Sequence, residues 1–337
     1  MASLKDIAAI CGVSVATVSR ALNNLPDISQ GTKERVQAAA DELGYFTNSA
    51  ARALKTNRTY NLGVLYDDRS SRGLTHSFFA ALLDSFKREA ERAGYDITFI
   101  NNRRVGGKPM TYLQHSRYRG VDGLLLACVD FYDEQILEVI QSTLPAVTID
   151  HVFNSKPAVI SDNIDGMEQL VRYACSRGHK KLALLYGDPT AVTEKRKTGF
   201  FRGCEENGVS VPDEWVLESR YYDPENCYQV TKGLLRQKNR PTCILFPDDS
   251  SLTGGVQAIF EEGLRIPEDM SIMGYDGIAP NGMTKPRITT LRQDTNQLGK
   301  VAARKLIDLI EHPKTVLLDR VVIQGELIPG ETVLEMR

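Results

Sequence analysis

The sequence lacks any long hydrophobic run and is sparing in residues that build disulfides or metal sites. No apolar stretch approaches the ~20 residues that a membrane-spanning helix requires. Its six cysteines are scattered without a CxxC pair, and its five histidines show no metal-ligand spacing. The beginning of the chain has mixed charges and no signal-peptide pattern. We therefore expect a cytoplasmic protein with reduced thiols, no disulfide, no metal, no cofactor and no membrane contact.

Sequence motifs of the common catalytic classes are also missing. There is no G-x-S-x-G elbow, no G-x-x-x-x-G-K-[ST] loop and no H-E-x-x-H pair, so an enzyme is disfavoured. What is present is a chain of 337 residues, 42% hydrophobic, which is enough for two or three domains. The formal net charge is −2, but residues 1–60 carry seven Lys/Arg against five Asp/Glu. A mildly basic start on an acidic remainder is compatible with DNA contact without deciding it.

Three short helical patterns open the chain. The first runs from Leu4 to Cys11, a turn follows at Gly12, and residues 14–23 form the second pattern. The third runs from Thr32 to Leu43. Two short helices joined by a glycine-containing turn predict a helix-turn-helix unit, so the N-terminal domain should be all-α.

The second of these helices has the surface of a DNA-reading rod. Ser14 is a good N-cap, because its hydroxyl can accept a hydrogen bond from a first-turn N–H group. Val18 and Leu22 share one apolar face, whereas the remaining surface is small or hydrogen-bonding. Such a helix fits a DNA major groove, although a plain surface helix would show the same pattern.

From Leu62 the hydrophobic period changes to alternating strands and helices. The predicted strands are 62–66, 96–101, 123–127, 146–150, 181–186, 243–246 and 271–275, and the predicted helices are 77–93, 134–142, 166–176, 194–207, 224–237 and 250–262. This alternation predicts doubly wound parallel sheets, and the number of units exceeds one domain. We expect the chain to cross between two lobes at 161–163, near 290–294 and near 318–322. Ligands of such sheets bind at the carboxyl ends of the strands.

The runs LKDIAAICGVSVATVSRALNN and TKERVQAAADELGYFTNSAARAL resemble the N-terminus of the lactose/galactose-repressor (LacI/GalR) family of bacterial transcription regulators. The resemblance is nearly continuous over residues 4–54. It implies a helix-turn-helix domain followed by a two-lobed α/β body like that of periplasmic sugar-binding proteins. The implied boundaries are 1–47 for the DNA-binding domain, 48–60 for a hinge helix and linker, 61–160 with about 292–321 for the N-terminal lobe, and 161–291 with about 322–337 for the C-terminal lobe.

The resemblance also implies a homodimeric repressor that binds a pseudo-palindromic operator under the control of a small carbohydrate. Backbone phosphates would be held by Ser14, Thr17, Ser19, Asn23 and Thr32. Base edges would be faced by Val15, Ala16 and Arg20, with Arg20 the best candidate for a bidentate guanine contact. In the hinge, Ala51 would lie where two copies approach, and Leu54 would wedge between base pairs. We also assign Leu4, Tyr45 and Asn48 to the DNA-binding surface.

Polar residues at predicted strand ends define the effector site. Carboxylates there can accept hydrogen bonds from sugar hydroxyls, and Arg196 can donate two. The resemblance implies ligand contacts for Arg196, Asp248, Asp276 and Gln293, with Tyr222 stacking on the ring. Asp150 is a weaker candidate, because it could equally bond a loop backbone. For Asp249 the sequence favours capping of the following helix.

Two alternatives remain open at the level of the sequence. The loop from Tyr66 to His76 carries Asp67, Arg69 and Arg72, which either reach a charged effector or lie on the surface. The effector could instead be a phosphoprotein corepressor, if Lys87, Arg88 and Arg92 form a basic patch on the first lobe. A sugar-binding receptor without a regulatory role would explain the body but not residues 4–54. The end of the chain offers no heptad extension, so we expect a dimer and no tetramer.

Overall fold

The computed structural model describes residues 2–45, 58–68, 72–102, 104–105, 107–278 and 285–336. The chain forms two compact units, residues 1–59 and residues 60–337, called below the N-terminal unit and the body. No helix of the described residues is both long and apolar enough to span a membrane.

The N-terminal unit contains helices α1 (Leu4–Cys11), α2 (Val15–Leu22) and α3 (Gln30–Glu42). α1 ends at Gly12, whose φ of +63° costs glycine little. α2 begins after Ser14, whose hydroxyl accepts the Thr17 N–H at 3.0 Å. The facing stripes of the helices bury a small core of Ile7, Ala8, Val18, Ala21, Val36, Ala39 and Ala40. The predicted all-α helix-turn-helix unit is confirmed, with α3 starting two residues earlier than expected.

The strands of the body are β1 (Asn61–Tyr66), β2 (Asp96–Ile100), β3 (Arg104–Val105), β4 (Lys108–Pro109), β5 (Gly123–Ala127), β6 (Ala146–Ile149), β7 (Ala158–Ser161), β8 (Leu182–Tyr186), β9 (Val216–Glu218), β10 (Cys243–Leu245), β11 (Ser271–Asp276), β12 (Thr289–Arg292), β13 (Arg320–Ile323) and β14 (Glu326–Ile328). Two six-stranded sheets result, in the orders β13-β7-β6-β5-β1-β2 and β14-β12-β11-β10-β8-β9. All neighbours in these sheets are parallel except β14, which is antiparallel to β12. The predicted pair of doubly wound parallel sheets is confirmed.

Helices cover both sheets, and their bounds are α4 (Ser77–Arg92), α5 (Tyr112–Arg119), α6 (Glu134–Gln141), α7 (Asn163–Ser176), α8 (Ala191–Glu206), α9 (Pro224–Leu235), α10 (Asp249–Glu261) and α11 (Thr295–Glu311), with single 3₁₀ turns at Gly73–Thr75 and Asp213–Trp215. The central strands β5, β6, β10 and β11 are buried at every residue, and β5 is apolar throughout. The sequence pattern did not predict α5 or the 17-residue α11. α11 packs on α4 at Gly299, where a Cβ would lie 2.2 Å from the Leu82 carbonyl oxygen.

Three crossings connect the first lobe, built on the first sheet, with the second lobe, built on the second sheet. The chain crosses after β7 at Asp162, and again between β12 and α11 at residues 293–294. The third crossing follows Ile323, because β13 pairs with β7 up to the match of Ile323 with Ser161. It therefore lies slightly beyond the predicted 318–322, and the expected boundary at residue 321 would cut through β13.

Candidate DNA-reading surface and effector site

The outward side of α2 carries the three residues predicted to face base edges. Val18 and Ala21 are buried in the core, whereas Val15, Ala16 and Arg20 are exposed. The arrangement follows from the 3.6-residue period, which turns one stripe inward and leaves the other in solvent. The surface of α2 is therefore a short ridge of small side chains with one guanidinium.

The predicted phosphate-binding residues cluster at the ends of α2 and at the start of α3. The hydroxyls of Ser14 and Thr17 lie 2.9 Å apart, and the Thr32 hydroxyl lies 2.9 Å from that of Ser29. Hydroxyls and N–H groups at helix N-termini suit phosphate oxygens. At the other end of α2, Asn23 Nδ2 donates to the Ser19 carbonyl at 2.5 Å.

Other predicted DNA contacts have a different setting. Leu4 and Tyr45 are partly buried and pack against the core of the N-terminal unit. The hinge candidates Asn48, Ala51 and Leu54 lie outside the described residues.

In the body, Arg196 on α8 is the centre of the predicted effector site. Its Nε donates to Asn163 Oδ1 at 2.9 Å and its Nη1 to the Pro247 carbonyl at 2.7 Å. Nη2 lies 3.5 Å from Asp276 Oδ1, and the guanidinium carbon lies 3.6 Å from the centroid of the Tyr275 ring. The side chain is 7% exposed. A buried guanidinium held by an amide, a carbonyl, a carboxylate and an aromatic face is fixed in orientation.

Asp276 connects Arg196 with two further predicted residues. Its Oδ2 accepts from the Tyr222 hydroxyl at 2.8 Å, and its Oδ1 accepts from Gln293 Nε2 at 2.7 Å. Within the described residues, Gln293 Oε1 has no hydrogen-bond partner although Gln293 is only 6% exposed. Gln293 also lines a cavity of about 330 Å³ at the second and third crossings. The predicted residues Arg196, Tyr222, Asp276 and Gln293 thus form one network.

Asp248 does not have the role that the sequence suggested. Its Oδ1 accepts from the N–H groups of Ser250 (2.9 Å) and Ser251 (2.8 Å), and its Oδ2 accepts from the Tyr222 N–H (2.9 Å) and the Ser251 hydroxyl (2.8 Å). These four donors occupy both oxygens, so Asp248 caps α10 and is not available to a sugar hydroxyl. Burial, together with the nearby Asp276, raises the pKa of Asp248 to about 6.

The expectation that Asp249 caps the following helix was wrong. The residue that caps α10 is Asp248, and Asp249 is the first residue of the helix. Its side chain points elsewhere and accepts from the Thr290 hydroxyl at 2.7 Å and the Ile278 N–H at 2.9 Å.

Asp150, the weaker candidate, bonds the backbone. Its Oδ1 accepts the Ser161 N–H at 2.7 Å, which links the ends of β6 and β7. Burial raises the pKa of Asp150 despite this hydrogen bond and the positive charge of Arg196.

Contacts between the two lobes converge on Tyr222. Its ring packs with the first-lobe core, and its centroid lies 3.7 Å from that of the His76 ring. Arg72 of the first lobe donates to the Tyr222 carbonyl at 2.7 Å. Arg72 is therefore an interlobe contact and not a plain surface residue, whereas Arg69 lies outside the described residues.

Three of the six described non-glycine residues with a positive φ lie at or near this site. Asp150, Tyr222 and Asp276 have φ of +57°, +55° and +94°, a region that non-glycine residues rarely adopt. Each such conformation costs on the order of 1–3 kcal/mol and persists where surrounding contacts impose it, often at ligand sites.

Sequence reasoning missed several residues of this site. Asn163 and Tyr275 hold Arg196, and His76 lies between Phe79 and Tyr222, 4.8 and 3.7 Å from their centroids. Asn163 follows the first crossing directly, which was a usable signal. A second aromatic group follows β5 and β6, where the rings of Phe131 and His151 stack with centroids 4.4 Å apart and an interplanar angle of 10°.

Comparisons with known proteins agree with this architecture. Residues 3–48 match the family described as bacterial regulatory proteins, lacI family, and residues 171–333 match the periplasmic binding protein-like domain. The HTH-type transcriptional repressor PurR of Haemophilus influenzae strain PittEE is 32% identical over 339 residues, which cover 99% of each chain. The PurR repressor of Yersinia enterocolitica is 31% identical over 94% of each chain.

Solved structures resemble the whole chain as well. The lac repressor dimer bound to operator and the anti-inducer ONPF is 26% identical, with a TM-score of 0.82 over 99% of each chain. A complex of the transcriptional regulator CelR with cellobiose shares the fold at 23% identity, with a TM-score of 0.71 over 98% of this chain and all of that one.

A helix-turn-helix unit joined to a two-lobed binding body defines a ligand-controlled DNA-binding protein. The chain belongs to the lacI family of bacterial regulatory proteins. It is a DNA-binding transcriptional repressor under small-molecule control and not an enzyme. Members of this family bind operator DNA, dimerise and respond to small-molecule effectors.

Proposed function

We propose that the effector of this repressor is a small carbohydrate bound between the lobes at Arg196, Asp276 and Gln293. The observation that carries the proposal is the buried network of these three residues. Arg196 supplies donors, Asp276 supplies an acceptor, and Gln293 Oε1 is an acceptor with no partner among the described residues. Donors and acceptors fixed side by side match vicinal hydroxyl groups, each of which both donates and accepts.

The body changes DNA affinity through the lobes. A ligand that contacts both lobes favours their closed arrangement, since only that arrangement offers all of its contacts. The structure already has an interlobe hydrogen bond from Arg72 to the Tyr222 carbonyl. Effector binding would therefore shift the population of lobe arrangements. This shift would change the spacing of the two N-terminal units in a dimer.

At the DNA, Val15, Ala16 and Arg20 would read base edges in the major groove, with Arg20 donating to guanine. Ser14, Thr17, Ser19, Asn23 and Thr32 would hold phosphates. Exposure of the first three residues on one side of α2 supports this division. The target would be a pseudo-palindromic operator, because a two-fold dimer presents α2 twice.

A planar nitrogen heterocycle is a second candidate for the effector. The His76 imidazole packs against the rings of Phe79 and Tyr222 at interplanar angles of 60° and 38°, and its Nδ1 has no partner in the described part of the chain. Aromatic rings that pack against one flat, nitrogen-containing ring can pack against another of similar size. In that case the effector would displace His76.

A phosphoprotein corepressor is less well supported. Arg88 pairs with Asp84, Arg92 with Glu89, and Lys87 with Glu91. Acidic partners on the same helix pair with all three basic residues, and Glu89 also pairs with Arg304 of α11, so much of the positive charge that a phosphorylated partner needs is already engaged.

The test is a thermal-shift screen of the full chain against monosaccharides, disaccharides, sugar phosphates, nucleobases and nucleosides. A ligand at a hundred times its dissociation constant should stabilise the protein by about 2.7 kcal/mol. The carbohydrate proposal predicts sugar hits that Asp276→Asn abolishes and Asp269→Asn, at an exposed site of the same lobe, preserves. Hits confined to the heterocycles and strengthened by His76→Ala would replace it with the second candidate. Sugar hits that Asp276→Asn leaves unchanged would contradict the proposed site.

A further inference from the structure

The guanidinium of Arg20 on the reading helix is paired with an acid. Its Nη2 forms an ion pair with Asp27 Oδ2, and the two side chains are 54% and 41% exposed. Asp27 lies in the loop between α2 and α3. A carboxylate on a surface that approaches DNA phosphates is electrostatically unfavourable, yet Asp27 lies beside the residue that we propose reads a base.

The loop that carries Asp27 is folded back on the end of α2. The Asn24 N–H donates to the Ala21 carbonyl at 2.9 Å, and the Leu25 N–H donates to the Arg20 carbonyl at 3.1 Å. Asn24 has a φ of +54°, which turns the chain at this point, and its carbonyl accepts from Lys33 Nζ of α3 at 3.3 Å. Asp27 is thus placed beside Arg20 by backbone bonds that do not depend on the ion pair.

Stability does not explain the pair. Exposed ion pairs contribute little to folding, because water screens the charges and ordering two long side chains costs entropy. The ion pair does constrain the orientation of the Arg20 side chain. An unrestrained arginine side chain at the groove edge can rotate toward the DNA phosphates. The phosphates attract it whatever the base sequence is. When Nη2 is paired with Asp27, the guanidinium keeps further N–H donors, and its orientation is biased away from that free movement.

We propose that Asp27 is a positioning residue that holds Arg20 toward the base pairs, so that it reads guanine instead of binding phosphate. The inference rests on the proposed base contact of Arg20. Asp27 then lowers affinity for all DNA through its charge, and raises selectivity through the orientation of its partner. Its contact with Arg20 acts on specificity, whereas its charge acts on the strength of binding to DNA of any sequence.

The experiment is selection from random duplex DNA with the full chain, followed by affinity measurements on the selected operator and on one-base variants. Four proteins are compared: the unchanged chain, Arg20→Ala, Asp27→Asn and Asp41→Asn. Asp41 is an exposed acid on α3 whose side chain accepts from Gln37, so its change removes the same charge from the same unit away from Arg20. Asp27→Glu, which keeps the carboxylate, tests for rescue.

The base positions that lose preference in Arg20→Ala identify the contact of Arg20, with an expected loss of about tenfold or more for a bidentate pair. At those same positions Asp27→Asn should lose about threefold to tenfold of the preference, while its affinity for non-specific DNA rises. Asp41→Asn should raise non-specific affinity without changing preference, and Asp27→Glu should recover most of the preference.

The outcomes distinguish the base contact of Arg20 from the positioning role of Asp27. If Arg20→Ala leaves every base preference unchanged, the base contact itself is wrong and the inference fails with it. If Arg20→Ala removes the base preference at a position where Asp27→Asn keeps it, the base contact stands and the positioning role is overturned. An equal loss of preference in Asp41→Asn would mean a general charge effect and would also overturn it.

Discussion

Asp248 and Asp249 are neighbouring aspartates, yet their side chains have different roles. One caps α10 through both oxygens, and the other bonds Thr290 and the backbone of Ile278. The N-cap role belongs to the residue with extended backbone, and Asp248 has φ −161° and ψ 166°. At the residue scale, a one-residue shift in the start of a helix therefore decides which carboxylate is left for a ligand.

Removal of Asp276 should destabilise the body. In Asp276→Ala the buried Arg196 keeps its charge but loses its carboxylate partner, which costs about 3 kcal/mol or more for a buried pair. Urea unfolding of the full chain measures this loss. The matched change Asp269→Ala breaks an exposed pair with Arg265 and should shift the unfolding midpoint far less. Equal shifts for the two variants would show that the Arg196–Asp276 contact does not stabilise the fold.

His179 should make stability depend on pH. Its Nε2 lies 3.1 Å from the Leu334 carbonyl and its Nδ1 2.9 Å from the Thr242 hydroxyl. Burial lowers the pKa of His179 from its ordinary value of 6.5, so the unfolded chain binds the proton more readily. The contribution of His179 to the free energy of unfolding is therefore fully present above pH 6.5, and it decreases as the pH falls below that value.

The measurement is urea unfolding at pH 7 and at pH 5 for the unchanged chain and for His179→Gln. The glutamine variant should be less stable at pH 7, because it loses the two hydrogen bonds of the ring. It should also lose less stability between the two pH values, because it has no proton to bind. Parallel pH profiles for the two proteins would contradict the role of His179.

At the scale of elements, glycines determine how closely helices of the second lobe approach. Gly254 on α10 faces the start of α9, and a Cβ there would lie 1.8 Å from the Pro224 carbonyl oxygen. At Gly233 on α9, a Cβ would have no neighbouring atom within 4 Å. A side chain is thus sterically excluded at Gly254 and sterically allowed at Gly233, on two helices that pack together.

Alanine at these two glycines should change stability in opposite directions. Gly254→Ala forces α9 and α10 apart, and such overpacking costs about 1–3 kcal/mol. Gly233→Ala fills open space and reduces the backbone entropy of the unfolded chain, for a gain of about 0.5–1 kcal/mol. Thermal unfolding of the two variants checks both signs. A destabilised Gly233→Ala, or a Gly254→Ala as stable as the unchanged chain, would refute this account of the packing.

At the scale of the whole body, the two lobes are joined by three crossings and by noncovalent contacts. Arg72 of the first lobe donates to the Tyr222 carbonyl of the second, while Tyr222 and Gln293 both bond Asp276. Asp276, which we propose contacts the effector, is thus hydrogen-bonded to Tyr222, which also makes the interlobe contact. A ligand there cannot be bound without affecting the balance between lobe arrangements.

Loss of the Arg72 contact should weaken effector binding. Arg72→Ala removes a charge-assisted hydrogen bond between the lobes, which contributes about 1.5–3 kcal/mol. The Kd of the effector found in the screen should rise about tenfold or more, since every 1.4 kcal/mol corresponds to about a factor of ten. Isothermal titration calorimetry measures the change. Arg88→Ala, which breaks an ion pair within α4, is the control and should leave Kd unchanged.

Most of the secondary structure follows from local patterns that the sequence contains. Ser14 as a cap, β5 as a buried strand and the alternation of strands with helices are each set by neighbours a few residues away. The resemblance implied Arg196, Tyr222, Asp276 and Gln293 as site residues, and Asp276 and Gln293 lie together because neighbouring parallel strands direct their carboxyl ends to one edge. The sequence by itself thus determined the fold class, the DNA-reading helix and most residues of the candidate effector site.

Only the tertiary structure decided the contacts between residues far apart in the chain. The pairing of β13 with β7, the stacking of His76 on Tyr222 and the hold of Asn163 on Arg196 join residues that no local period relates. The full occupation of Asp248 by protein donors is a second example, since its partners come from a neighbouring loop as well as its own helix. Side-chain periodicity specifies which face of an element is buried, whereas the identity of the partner depends on the packing of the whole chain.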